Sequence, residues 1–160
     1  MRRPLIHVPA LQISSCAPGD AGPERDEILW DAWGVPHIYG TSEAMVFRGM
    51  GWAQMESHGD LVLRLMGEAR GRSAEYWGDA VDPLIGVSAS DSDRFLRTMG
   101  VPARGAEWFE AESPEMQANI RAFVDGLNDY AETHPDRLSD EVEVVLPVTP
   151  QDVMAHGHRI

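Results

Sequence analysis

The sequence predicts an α+β chain, mainly helical, with its strands confined to a β-hairpin near the N-terminal end. Three observations lead there. Ile28-Leu29-Trp30 and Val35-Pro36-His37-Ile38-Tyr39 are short runs rich in β-formers. Between them lies Asp31-Ala32-Trp33-Gly34, a turn-like stretch with glycine available for positive φ. From Ala44 onward apolar residues recur at helical spacing. Ser113-Pro114 and Thr149-Pro150-Gln151-Asp152 are helix-start signatures, a capping side chain followed by proline in the first turn. At 160 residues, 43% of them hydrophobic, the chain suits one domain that buries roughly two-thirds of its unfolded surface.

Residues 1–26, rich in Pro, Gly, Ser and charge and without a sustained period, read as a leader or disordered arm, and the ordered domain as 27–160. Thr41 or Ser42 caps the next element, with Glu43 in its first turn complementing the helix dipole. Ala44, Phe47, Met50, Met55 and His58 then keep helical spacing, and Gly49, Gly51 and Ala53 leave room for another backbone to come close. After His58-Gly59-Asp60 the period resumes through Leu61, Leu65, Met66 and Ala69, so a second helix, possibly continuous with the first, is expected to end near Trp77-Gly78. Residues 79–92 read as a loop, and 93–99 and 103–111 as short helical pieces on either side of Gly100-Val101-Pro102. Met116, Ile120, Phe123, Val124, Leu127 and Ala131 define a long helix that ends near His134-Pro135. The last helix starts at Thr149-Pro150, with Asp152 placed for a capping box. It has barely two turns before Ile160, so the biological polypeptide or its partner is expected to continue.

Charge and composition exclude several classes. A formal net charge of −13, from 26 acidic against 13 basic residues, repels phosphate backbones, and nucleic acid is not an expected partner. No window holds the ~20 apolar residues of a membrane-spanning helix. The single cysteine, Cys16, excludes an internal disulfide and a cysteine-built metal site. Its setting, Ile13-Ser14-Ser15-Cys16 after Arg2-Arg3, resembles a bacterial lipoprotein cleavage box, although His7, Pro9 and Gln12 interrupt the apolar region such a leader requires. A periplasmic or secreted location, with Cys16 as a lipid anchor, is the corresponding expectation.

The search for chemistry yields little. There is no glycine-rich phosphate loop, and no cofactor is expected. His156 and His158 stand two apart, which does not place them on one helix face, and no metal site is expected. His58-Gly59-Asp60 has the composition of a base with its orienting acid, but neighbouring polar residues at a helix junction more often satisfy local backbone groups. His37 in an apolar strand reads either as a base or as a buried hydrogen-bonder. Ser57, Ser73 and Ser113 lack the nucleophile elbow Gly-x-Ser-x-Gly.

Four stretches in order carry a resemblance: EILWDAWGVPHIYG (27–40), GWAQMESHGDLVLRLMGEARGRSAEYWG (51–78), ANIRAFVDGLNDYAETHPD (118–136) and VLPVTPQDVMAHGHR (145–159). Together they resemble the α-chain region of the penicillin acylase family, and the SHGD and GEARGRSAEYWG wording is most similar to the glutaryl-cephalosporin, aculeacin and acyl-homoserine-lactone acylases. The resemblance implies an N-terminal-nucleophile hydrolase, a four-layer αββα sandwich cut from one precursor into a mainly helical α-chain and a larger β-chain. It implies hydrolysis of the acyl side-chain amide of a β-lactam, an N-acyl-homoserine lactone or a lipopeptide. The nucleophile would be the first residue of the β-chain, usually Ser. Its own α-amino group, with a reference pKa of about 7.7–8.0, would act as base through a water.

On that resemblance no residue of this chain is catalytic, because no Gly-Ser-Asn-x-Trp junction occurs between Met1 and Ile160. The family's α-chain substrate contacts lie on the helix that Thr149-Pro150 starts but mostly later than Ile160, a departure by truncation, and the positions nearest that wall, His156 and Arg159, are the candidate substrate-binding residues. The expected partners are the β-chain of the same precursor and a small acyl-amide substrate. Trp33, Val35, Ile38 and Tyr39 are then expected to be buried against β-chain strands, with His37 a buried hydrogen-bonder. Residues 27–160 alone are expected to expose an apolar patch. The alternative is a non-catalytic orphan fragment or interaction module of the same fold.

Overall fold

The computed structural model describes residues 25–83 and 86–158; most of the leader, Cys16 and Arg159 lie outside them. Strand β1 (Glu27–Trp30) pairs antiparallel with β2 (Pro36–Tyr39), Ile28 opposite Ile38 and Leu29 opposite His37. The turn closes on one carboxylate: Asp31 Oδ1 accepts the amides of Trp33 and Val35, both at 2.9 Å, and Gly34 takes the positive φ of 79°. Asp26 ties the hairpin to the next element by accepting the amide and hydroxyl of Thr41, both at 2.8 Å.

Helix α1 (Glu43–Ala69) starts where Ser42 Oγ accepts the Met45 amide. The two expected helices are one element with a kink at His58, whose backbone leaves the helical region (φ −146°, ψ 37°). Its end differs from expectation. The helix stops at Ala69 rather than near Trp77, because Gly71 turns to φ +61°, and α2 (Ser73–Trp77) starts afresh. Helix α3 (Ala89–Thr98) begins four residues before the expected piece, since Ser88 Oγ accepts the Asp91 amide and caps it. Gly100, left-handed at φ 74°, separates it from α4 (Val101–Ala111). Helix α5 (Pro114–Thr133) runs as expected from Ser113, whose Oγ accepts the Met116 amide. After a 3-10 turn (Pro135–Arg137), the apolar run near Val142 forms α6 (Asp140–Glu143), and α7 (Pro150–His158) closes the described chain.

The core lies between α1 and α5. Met55, Leu63 and Leu127 are fully buried there, joined by Val142, Val145 and Val148 from the segment leading to α7. Two glycines set how closely the helices cross. A Cβ on Gly51 would collide with the Phe123 carbonyl, and one on Gly126 with the Arg48 carbonyl, so each helix lays a bare backbone on the other. The hairpin packs by the same device, Ile38 and Ile28 reaching α1 over Gly49.

Its other face is uncovered. Leu29 is 50% exposed, Tyr39 45% and, at the turn, Trp33 88%. His37 lies on that same face and is exposed in this chain; its Nε2 stands 3.5 Å from Asp31 Oδ2, so its neighbour within the chain is a carboxylate rather than a backbone carbonyl. Among the described residues α1 covers the hairpin, and it takes the Ile28 and Ile38 side.

Candidate functional site

The candidate substrate-binding residues belong to α7. Its N-terminus is built as the capping box the sequence suggests: Asp152 Oδ2 accepts both the amide (2.8 Å) and the hydroxyl (2.7 Å) of Thr149, and Thr149 Oγ1 accepts the Asp152 amide at 3.4 Å. Asp152, Met154 and Ala155 are buried, and the backbone passes tightly over α4, where a Cβ on Gly105 would sit 2.6 Å from the Gln151 carbonyl oxygen.

His156 is half-buried on this helix, and His158 is exposed. His158 Nδ1 bonds the Met154 carbonyl at 2.9 Å, and its ring stacks on Trp108 of α4 with centroids 4.1 Å apart and planes 12° from parallel. Arg104 stands over the same indole at 5.1 Å. Among the described residues no group of three His, Cys, Asp or Glu side chains is placed to hold a metal ion.

Motifs that suggested chemistry carry architecture instead. In His58-Gly59-Asp60 the kink brings Gly59 under Leu138, whose Cδ2 would lie 2.5 Å from an added Cβ, and Asp60 accepts the amide (3.0 Å) and hydroxyl (2.9 Å) of Ser139 ahead of α6. Ser73 presents its amide to Asp93, and Ser113 caps α5. In Gly67-Glu68-Ala69-Arg70-Gly71-Arg72, Gly67 lies under Trp77 and Val145, and Arg72 pairs with Glu75.

Arg70 is the residue the sequence reading missed. Its Nε and Nη2 bind the two carboxylate oxygens of Asp152, each at 2.8 Å, and Nη2 also reaches the Pro147 carbonyl at 3.0 Å. The hydrogen bonds to Asp152 hold the guanidinium still further above its ordinary pKa, against the opposing effect of burial. Nothing local signals this pair, whose members stand 82 residues apart. Asp93 was also missed: it is buried and accepts the amides of Ser73 and Ala74, both at 2.9 Å, at the start of α2. The Ser88-x-x-Asp91 spacing was the readable clue that its helix begins earlier.

Open clefts flank the scaffold. One of about 240 Å³ lies between the hairpin and α1, with Ile28, Ile38, Met45 and Trp52 in its walls, below the ~300–1,000 Å³ of small-molecule pockets. A groove beside α2 is floored by Trp77, yet its Arg64 lies 4.8 Å over the Trp77 ring and pairs with Glu141, while Trp77 Nε1 donates to the Glu141 carbonyl. Among the described residues no helix is long and apolar enough to cross a membrane.

This arrangement, a helical layer with one hairpin on its flank, is the fold of a solved acylase. The chain matches the thermostable penicillin G acylase from Alcaligenes faecalis in its tetragonal form with a TM-score of 0.66, over 82% of this chain and 69% of that one, at 24% identity. The family model described as Penicillin amidase matches residues 26–159, and the chain belongs to that family. Penicillin acylase 2 proenzyme of Pseudomonas sp. strain SE83 is 29% identical over 123 residues, 77% of this chain and 15% of the relative. Acyl-homoserine lactone acylase PvdQ of Pseudomonas fluorescens strain Pf-5 is 26% identical over 155 residues, 94% of this chain and 20% of the relative. The chain therefore spans about a fifth or less of the length of these curated relatives.

Proposed function

We propose that this chain is the α-chain region of an amidohydrolase that removes the acyl group from a β-lactam, an N-acyl-homoserine lactone or a lipopeptide, with the nucleophile supplied by the N-terminal Ser of a separate β-chain. The observation that carries this is the family match across residues 26–159. Two features of the molecule support it. The hairpin leaves Leu29, Trp33, Val35 and Tyr39 uncovered, as an edge completed by strands of another chain would. Ser113, Asp60 and His58 are committed to a helix cap, a contact with Ser139 and a helix kink.

On this reading residues 27–160 are scaffold and the four-layer sandwich forms with the β-chain. α7 supplies one wall of the acyl pocket, through His156 and the following Arg159. The β-chain Ser attacks the amide carbonyl, its α-amino group takes the proton through water, the amine leaves, and water hydrolyses the acyl ester. Export to the periplasm or beyond, with Cys16 as lipid anchor, belongs to the same proposal and is checked by fractionation and by Cys16→Ser.

The experiment is co-expression with the in-frame or adjacent β-chain, then hydrolysis assays on glutaryl-cephalosporanic acid, long-chain homoserine lactones and penicillins. Activity that vanishes on replacing the β-chain's first residue supports the proposal. A gene with no such partner, or a complex inactive on every acyl amide, favours the orphan interaction module.

A further inference from the structure

The stretch between the core and α7 is held almost entirely by side chains from two other helices. Asn128 of α5 brackets Val148, donating from Nδ2 to its carbonyl (2.9 Å) and accepting its amide at Oδ1 (2.8 Å). Arg70, at the end of α1, takes the Pro147 carbonyl and both oxygens of Asp152. Asp152 in turn takes the Thr149 amide. Every hydrogen bond just named is made by a side chain, and the Arg70–Asp152 pair is 20% and 9% exposed, out of reach of much solvent screening. A guanidinium fork that meets a carboxylate with two parallel bonds constrains direction as well as distance, which an ammonium cannot do.

We propose that Arg70 is a positioning residue for substrate binding: by fixing Asp152 and Pro147 it sets where α7 stands, and through α7 the acyl-pocket wall that carries His156. This rests on the acylase reading above. Arg70 touches no substrate in this scheme. Releasing its fork leaves α7 held by Asn128, the Gly105 contact, the packing of Met154 and Ala155 and the His158–Trp108 stack, so the helix shifts on these supports and displaces the wall while the nucleophile on the other chain stays in place.

The test compares Arg70→Lys, Asp152→Asn and the control Arg72→Lys, whose parent residue pairs with Glu75 on the surface and lies 5.0 Å over the Tyr76 ring. In the assembled enzyme Arg70→Lys should raise KM for the acyl amide roughly tenfold, with kcat per titrated active site within about twofold, because a displaced wall removes ground-state and transition-state binding alike. Asp152→Asn should follow in direction, and Arg72→Lys should leave both constants unchanged. A fall in kcat alone, or unchanged KM in both core variants, overturns the proposal.

Amide hydrogen exchange on the same intact gene products gives a readout independent of activity. Faster exchange confined to residues 148–156 is expected in the two core variants, and unchanged or uniformly faster exchange overturns the claim. If the unsubstituted enzyme hydrolyses no acyl amide, the acylase reading and the substrate half of this proposal fall together, and exchange alone decides whether Arg70 sets α7.

Discussion

Gly126→Ala tests the close crossing on which the rest of the fold depends. The added methyl would land on the Arg48 carbonyl oxygen, with the Arg48 carbonyl carbon at 2.9 Å and the Trp52 amide nitrogen at 3.0 Å, all three backbone atoms of α1 that no rotamer change can move aside. Restoring ordinary contact requires the helices to part by about 1 Å. That opens the layer containing Leu127, Met55 and Tyr130, each 3% exposed or less. Overpacking of this kind costs about 1–3 kcal/mol, lost contact in the parted layer adds to it, and the better helix propensity of Ala returns at most about 1 kcal/mol. A net loss of about 1–2 kcal/mol follows, a fall of roughly 2–8 °C in Tm for a chain this long. Urea unfolding followed by tryptophan fluorescence measures it. Gly157→Ala is the internal control, since nothing lies within 4 Å of the added methyl on α7, and it should be neutral or slightly stabilising. Equal stability of Gly126→Ala and the parent protein would refute the reasoning.

Three further outcomes are expected. The Thr41 amide and hydroxyl hold Asp26, and the Val35 amide, followed by that of Trp33 and by His37, holds Asp31, below the usual carboxylate pKa. A depressed folded pKa means that their contribution is complete above the unfolded value of about 3.9 and is lost as pH falls through the folded values beneath it. Hairpin amide signals should therefore loosen only below about pH 4, and later than in Asp31→Asn, whose turn should be weakened at neutral pH as well. Asp93→Ala strips the buried Ser73 amide and the half-buried Ala74 amide of their acceptor and should cost about 1–3 kcal/mol, seen as early loss of the α2 and α3 signals in denaturant. Trp33→Ser should leave the unfolding of this chain within about 0.5 kcal/mol of the parent, because the ring is 88% exposed, while weakening co-purification with the β-chain proposed above.

What could be seen in advance follows a physical rule: local signals were legible and distant partnerships were not. Ser42, Ser113 and Thr149 each cap a helix in the way their neighbours announce, because the capping bond spans only three residues. The end of α1 falls earlier than its apolar period suggests, since the stripe through Leu65, Met66 and Ala69 leads up to a glycine that takes a positive φ and meets α3, where Arg97 Nε donates to the Gly71 carbonyl at 2.7 Å. The candidate site divides in the same way. The helix bearing His156 was readable from Thr149-Pro150, but the clamp that orients it was not.

By itself, then, the sequence determined the hairpin, the main helix starts, the small residues reserved for a close crossing and the ordered motifs that mark the family. Only the tertiary structure decided which glycine meets which carbonyl, which aspartate Arg70 holds, and that His37 and the apolar hairpin face look outward. Capping and periodicity arise from chain neighbours within a turn or two. Packing and ion pairing arise between residues some 80 positions apart, brought together only when α1 closes on α5 and on α7.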